Sequence, residues 1–280
     1  MTLHIAHMVN PVNAAPGSDL TVAQPVTFES MRRARDLAEG VDVSLFTCQY
    51  PEDRAVLPEG FTATDDLDRS VLDVGSFSKP RKLPLIADII SRLYHATDAE
   101  ILVYTNVDIA LMPYFYTTIA AMVEDGHDAM VINRRTISDH HRDPDGLPLM
   151  YAEAGASHPG HDCFVFRRDA VPAFDLGEVC IGINWVGRVL IWNLCLQGHR
   201  FSEFTDRHLT FHIGNDKAWK NPDFDDYREF NRQQSASVLD RLSKRFGPFP
   251  MDHAIQPYLP NQPQEDSGLS GLLGRLTGRR

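Results

Sequence analysis

The chain has 280 residues, 43% hydrophobic and 23% charged, with a formal net charge of -11. That suits one large globular domain or a core domain with a smaller extension, and the acidic surplus excludes broad nucleic-acid binding while leaving room for a local basic pocket that holds a nucleotide. No run reaches the roughly 18 to 20 uncharged apolar residues of a membrane span, and the N-terminus lacks a basic start followed by an apolar block, so a cytoplasmic protein without a transmembrane segment is expected. Cys48, Cys163, Cys180 and Cys195 have apolar neighbours and no CxxC spacing. They read as buried free thiols rather than disulfides or zinc ligands.

In chain order, Leu3 to Val9 reads as a first strand, Asn10 to Thr21 as a turn-rich loop, Phe28 to Ala38 as a helix closed by Gly40, and Val41 to Thr47 as a second strand. This is a βαβ start. Tyr50 to Ser78 is loop-like, with Asp65, Asp66 and Asp68 clustered, and Leu83 to Tyr94 reads as an amphipathic helix. A buried strand begins at Ile101. A helix from Pro113 and Tyr114 through Val123 follows, then a short strand, Ala129 to Ile132, running into Asn133, Arg134 and Arg135. Residues 136 to 159, with His140, His141, Arg142, Asp143 and Asp145, read as a long loop suited to a lid, disordered when empty, and the adjacent histidines as loop residues that do not share a face. Cys163 to Phe166 is the next strand, Trp185 to Gln197 the next helix, and Leu209 to Ile213 a late strand. The alternation favours α/β.

The most informative stretch is Ile101 to Leu111, ILVYTNVDIAL, a buried strand that delivers Asn106 and Asp108 at its exit. Ligands of open α/β sheets collect at strand carboxyl ends, and a carboxylate there facing a phosphate needs a cation between them. The same two residues also fit an Asx turn or a cap.

In pattern and order, residues 3 to 215 resemble the GT-A fold glycosyltransferases of the nucleotide-diphospho-sugar transferase superfamily. The resemblance implies a three-layer, Rossmann-like mixed sheet flanked by helices. It divides the chain into a transferase domain (1–215), a C-terminal helical extension (216–256) and a flexible tail (257–280). The family's strand ends in a DxD motif whose last Asp holds Mn2+ or Mg2+ against the donor diphosphate. Here NxD stands in its place, with Asn106 one charge short of that pattern, so the resemblance implies a weakened cation site at Asp108 and leaves metal dependence open.

The resemblance further implies that Arg81 or Lys82, ahead of the helix that precedes this strand, offsets the diphosphate, that Asp66 lies near base and ribose, and that Arg134 lines the donor. It makes His212, in FHIGND, a second metal ligand, with a core histidine as the other reading. Asp162, after Gly160 and His161, is implied to grip sugar or acceptor hydroxyls. Inverting members carry an acidic pair where this chain has Asn184, which cannot act as a base near neutral pH. Glu178, Asp162 or Asp143 then substitutes, or the reaction retains configuration.

The implied partners are a nucleotide-diphosphate sugar and a hydroxyl acceptor. A nucleotidyltransferase acting on sugar phosphates and a non-catalytic nucleotide-sugar-binding protein are the competing readings. Leu269, Leu272, Leu273 and Leu276 with Arg275, Arg279 and Arg280 would give the tail a weak peripheral membrane contact if helical, which its glycines oppose.

Overall fold

The computed structural model describes residues 2–214 and 221–247. It is an α/β fold: a mixed sheet of nine strands among the described residues, with helices on both faces. β1 (Leu3–Val9) pairs in parallel with β2 (Val41–Thr47) on one side and β4 (Ile101–Thr105) on the other, and β3 (Thr62–Ala63) extends β2. β4 continues antiparallel into β7 (Ala156–Arg167), which pairs antiparallel with β6 (Ala129–Ile137). Two short strands run parallel to β6: β8 (Phe201–Phe204) along Ala129 to Ile132, and β9 (Thr210–Ile213) along Arg135 to Ile137. β5 (Ala110–Leu111) closes antiparallel on β9.

Every residue of β4 is buried, because helices cover both sides of it. Leu102 and Tyr104 face α2 (Ile86–Ala96), α5 (Val186–Gln197) and α6 (Asp225–Phe246), while Ile101 and Val103 face α1 (Leu20–Asp36) and α3 (Phe115–Glu124). A strand buried on both faces reads as a continuous apolar run, which is why this segment stood out in the sequence. Ile86, Ile89, Ile90 and Leu93 form the buried stripe of α2, each contributing roughly 1.5 to 3 kcal/mol through burial. α6 belongs to the same core through Val238 and Leu242, and its Asn231 holds Cys180 and the Asn184 carbonyl.

Several boundaries differ from expectation. α1 begins eight residues before Phe28 and runs through Pro25, because Ala23, Gln24, Val26 and Thr27 are buried there and Gln24 clamps both backbone groups of Val12 at 2.8 Å. Tertiary contact overrides the missing proline N–H. β6 extends five residues past Ile132, so Arg134 and Arg135 lie within a strand rather than after one. Register shifts between Ile132 and Asn133 and between Asn133 and Arg135 let pairing with β7 resume beyond them.

The expected lid, 136 to 159, is largely built structure. The ends of β6 and β7 occupy it, with a 3-10 turn at Pro144–Gly146 and α4 (Leu147–Ala152), whose Leu147 and Met150 pack on Val26 and Phe211. All four cysteines are free and three are buried. Among the described residues, no helix is long and apolar enough to cross a membrane. The 257–280 tail and its membrane contact, and Asn215 and Asp216, lie outside the described residues.

Candidate functional site

The exit of β4 turns at once: the Ile109 amide donates to the Asn106 carbonyl at 3.1 Å, and β5 begins one residue later. Pairing of Ala110 with Phe211 sets the next residue of β9, His212, against Asp108. His212 Nε2 lies 3.3 Å from Asp108 Oδ2, and Nδ1 lies 2.9 Å from the Gly214 carbonyl. A carbonyl only accepts, so Nδ1 carries hydrogen, and in the neutral ring Nε2 turns its lone pair toward the carboxylate. Two acceptors that close need a proton or a cation between them.

Without a cation the proton takes that place. Burial works against a charged imidazole, but the Asp108 carboxylate outweighs it and raises the His212 pKa above its ordinary value. Burial likewise opposes a charged Asp108, and His212 with Arg134 overcomes it, so its pKa falls below the ordinary value. Oδ1 of Asp108 is buried with no hydrogen-bond partner among the described residues. A bare carboxylate oxygen and an imidazole with a fixed tautomer fit a divalent cation.

Beside this pair stands a second group. Asn106 Nδ2 donates to Asp162 Oδ1 at 3.1 Å, Tyr104 Oη donates to Asn106 Oδ1 at 3.3 Å, and Arg134 Nη1 meets Asp162 Oδ2 at 2.6 Å. The side chains of Asp162 and Arg134 are each 12% exposed. An amide at position 106 therefore has a physical reason: it must donate to a carboxylate, which a second carboxylate could not do. The β6 irregularity surrounds Arg134, and such bulges redirect side chains.

The structure thus gathers Asn106, Asp108, Arg134, Asp162 and His212. It sets the other sequence candidates among different partners. Asp66 accepts from Gln49 and Arg54, both at 2.9 Å. Lys82 pairs with Glu52 at 2.6 Å and lies 3.9 Å above the Tyr50 ring. Arg81 stacks on Phe224 at 4.6 Å and faces Asp223, next to α6. Glu178 pairs with Arg69 at 3.1 Å, and Arg69 also holds Asp88. Asp143 caps the 3-10 turn through the Asp145 and Gly146 amides. Asn184 precedes Trp185, whose φ of +86° is a left-handed conformation unusual for a large side chain.

One cluster was missed. His140 lies in a turn, so the two neighbouring rings come within 4.2 Å of each other and converge on Glu153 instead of pointing apart. The only sequence signal was the HH pair itself, because Glu153 follows with no motif spacing.

No protein-family profile and no curated protein matches the chain. Among solved structures it is similar to S. aureus TarS 1-349 in complex with UDP (11% identity, 86% of this chain and 72% of that one, TM-score 0.48). It is also similar to M. tuberculosis glucosyl-3-phosphoglycerate synthase in complex with Mn2+, UDP-glucose and phosphoglyceric acid (16% identity, 86% and 80%, TM-score 0.47). Likenesses this distant say nothing about the chemistry of the site, which this chain's own side chains must carry.

Proposed function

We propose that the protein is a glycosyltransferase of GT-A type that moves a sugar from a nucleoside-diphosphate donor to an acceptor hydroxyl, with NxD as its variant of the acidic motif. The observation that carries this reading is the Asp108–His212 pair, a carboxylate and an imidazole nitrogen facing each other at 3.3 Å at the exit of a central strand, beside the half-buried Arg134. A Mn2+ or Mg2+ ion held by Asp108 and His212 would supply positive charge to the leaving diphosphate.

Placement supports the remaining roles in this reading. Arg134 adds fixed positive charge beside the diphosphate, and Asn106 and Arg134 together orient Asp162 toward sugar or acceptor hydroxyls. Asp66, held by Gln49 in the segment after β2, suits the nucleoside end, and Lys82, on the Tyr50 ring beside that segment, suits the donor diphosphate. The nucleotidyltransferase reading loses support, because the loop after β1 contains no Lys or Arg and is clamped by Gln24 and by Asp53, which accepts from the Asn13 amide at 2.7 Å. A non-catalytic binder keeps one supporting observation: Asp162 and Glu178 are both engaged by arginines.

Calorimetric titration of nucleoside diphosphates with and without Mn2+ tests the proposal. Wild type should bind one of them far better with Mn2+, and Asp108→Ala should lose at least tenfold while its circular dichroism is unchanged. Equal binding by the folded variant would overturn the assignment. Turnover of the matching sugar nucleotide separates an enzyme from a binder.

A further inference from the structure

The connection between β6 and β7 carries three metal-ligand side chains outside the site just described. His141 Nε2 lies 2.7 Å from Glu153 Oε1, His140 Nε2 lies 3.8 Å from the same oxygen, and one ligand atom from each residue falls within 4.8 Å of the others. We propose that His140, His141 and Glu153 form a second cation site, selective for Zn2+ or a similar imidazole-preferring ion.

Three features of the geometry support a built site. The backbone amide of Ser138 donates to Glu153 Oε2 at 2.9 Å, which leaves Oε1 to face the histidines. Ser138 Oγ bonds His140 Nδ1, and in the tautomer where Nδ1–H donates, Nε2 presents a bare lone pair. Such a partner on the far nitrogen is what orients metal-bound histidines generally. His141 is 5% exposed and His140 68%, so one wall of the cluster is packed and the other is open to an entering ion and to water as a fourth ligand.

The spacing suits a small ion. Ligands about 2.0 to 2.2 Å from a tetrahedral Zn2+ stand roughly 3.3 Å apart, so opening the 2.7 Å contact by about half an ångström and closing the 3.8 Å one by the same amount brings both histidine–Glu153 contacts to that spacing, and the two histidine ligand atoms start within 4.8 Å of each other. Two imidazoles and a carboxylate favour Zn2+, Co2+ or Ni2+ over Mg2+ or Mn2+. This preference differs from that of the Asp108 site, whose remaining ligands would be diphosphate oxygens.

An ion here would join the segment just after β6 to the C-cap of α4, closing the connection that bears on Gly214 through Asp139. Its effect would be to fix one border of the Asp108–His212 site without entering it.

The test uses the full chain with metal alone and no nucleotide. Co2+ should bind one equivalent and give visible absorption characteristic of low coordination number, Zn2+ should displace it, and Mn2+ should not. His140→Ala, at an exposed position, should weaken Co2+ binding by about tenfold or more, as should Glu153→Gln, which keeps the carboxylate's shape. Asp108→Ala should leave the absorption unchanged, so failure of the donor-site reading leaves this result intact. Co2+ binding that survives both His140→Ala and Glu153→Gln, or no saturable Co2+ binding at micromolar concentration, overturns the proposal.

Discussion

His7 and His212 are both buried histidines in short apolar strands, and their partners drive them in opposite directions. His7, on β1, lies 2.9 Å from Tyr116 Oη and 2.9 Å from Thr105 Oγ1, two neutral hydroxyls. Burial there goes unopposed and lowers its pKa to about 3. His212 meets a carboxylate, and its pKa rises in spite of burial. Burial in both places thus yields a neutral core bridge in one and a histidine drawn toward its charged form in the other. The deciding variable is the charge of the partner, which arrives from a different strand.

The largest effect expected from this contrast is an acid sensitivity rooted in His7. Its folded pKa lies below the unfolded 6.5, so the unfolded chain takes up the proton first as pH falls. The stability it supports above pH 6.5 is lost progressively down to about pH 3, amounting to about 2 to 3 kcal/mol by pH 4.5. His7→Gln can still bridge both hydroxyls and does not titrate. Urea denaturation at pH 7 and 4.5 should show the wild type losing that much more than the variant. Equal losses would break the comparison.

A smaller effect, of opposite pH sense, is expected at His212. A raised folded pKa means that pairing with Asp108 stabilises the empty protein fully below pH 6.5 and fades as pH rises through the folded value. His212→Ala should therefore cost the empty protein more at pH 6 than at pH 9. Nucleotide binding supported by Mn2+ should behave the other way, losing about tenfold at alkaline pH, where the imidazole is free to ligate, and less at pH 6, where the proton competes. Melting curves with and without nucleotide and Mn2+ at both pH values check this. A pH-independent cost in both states would reduce His212 to a packing residue.

The sequence revealed the strands that are apolar on both faces, because burial by two helix layers leaves a continuous hydrophobic run, as in β1 and β4. It also singled out Asp108 as a candidate, since a carboxylate at the end of such a run stands where open α/β sheets collect ligands. It could not separate HIAHMV from TFHI, because alternation reports burial and not the partner across the sheet. β8, of four half-buried residues, left no run to read, and α1 was started late because Pro25 masked contacts that only the folded chain makes. The sequence puts Arg134 at a strand end, because the bulge around it is a property of pairing with β7. The convergence of His140 and His141 on Glu153 depends on a turn and on the end of α4, neither of which has a local signature.

The smallest effect sharpens the contrast on the other side of Asp108, at Asn106. A missing charge there predicts that a cation binds appreciably only when diphosphate oxygens complete its shell. The structure adds that Asn106→Asp would not repair this, because the amide donates to Asp162 at 3.1 Å and accepts from Tyr104. The substitution sets two carboxylates against each other and leaves Arg134 to compensate alone, so it should lower stability by about 1 kcal/mol and leave nucleotide-free Mn2+ binding weak. Adding Asp162→Asn reverses donor and acceptor across the same contact and should recover most of the loss, a coupling that a thermal-melt cycle of the four proteins measures directly. Additive losses would show that the amide is not there to hold Asp162. Tight Mn2+ binding by Asn106→Asp alone would show that position 106 faces the cation after all, and the contrast would then rest on the number of carboxylates near His212 rather than on the partner each histidine meets.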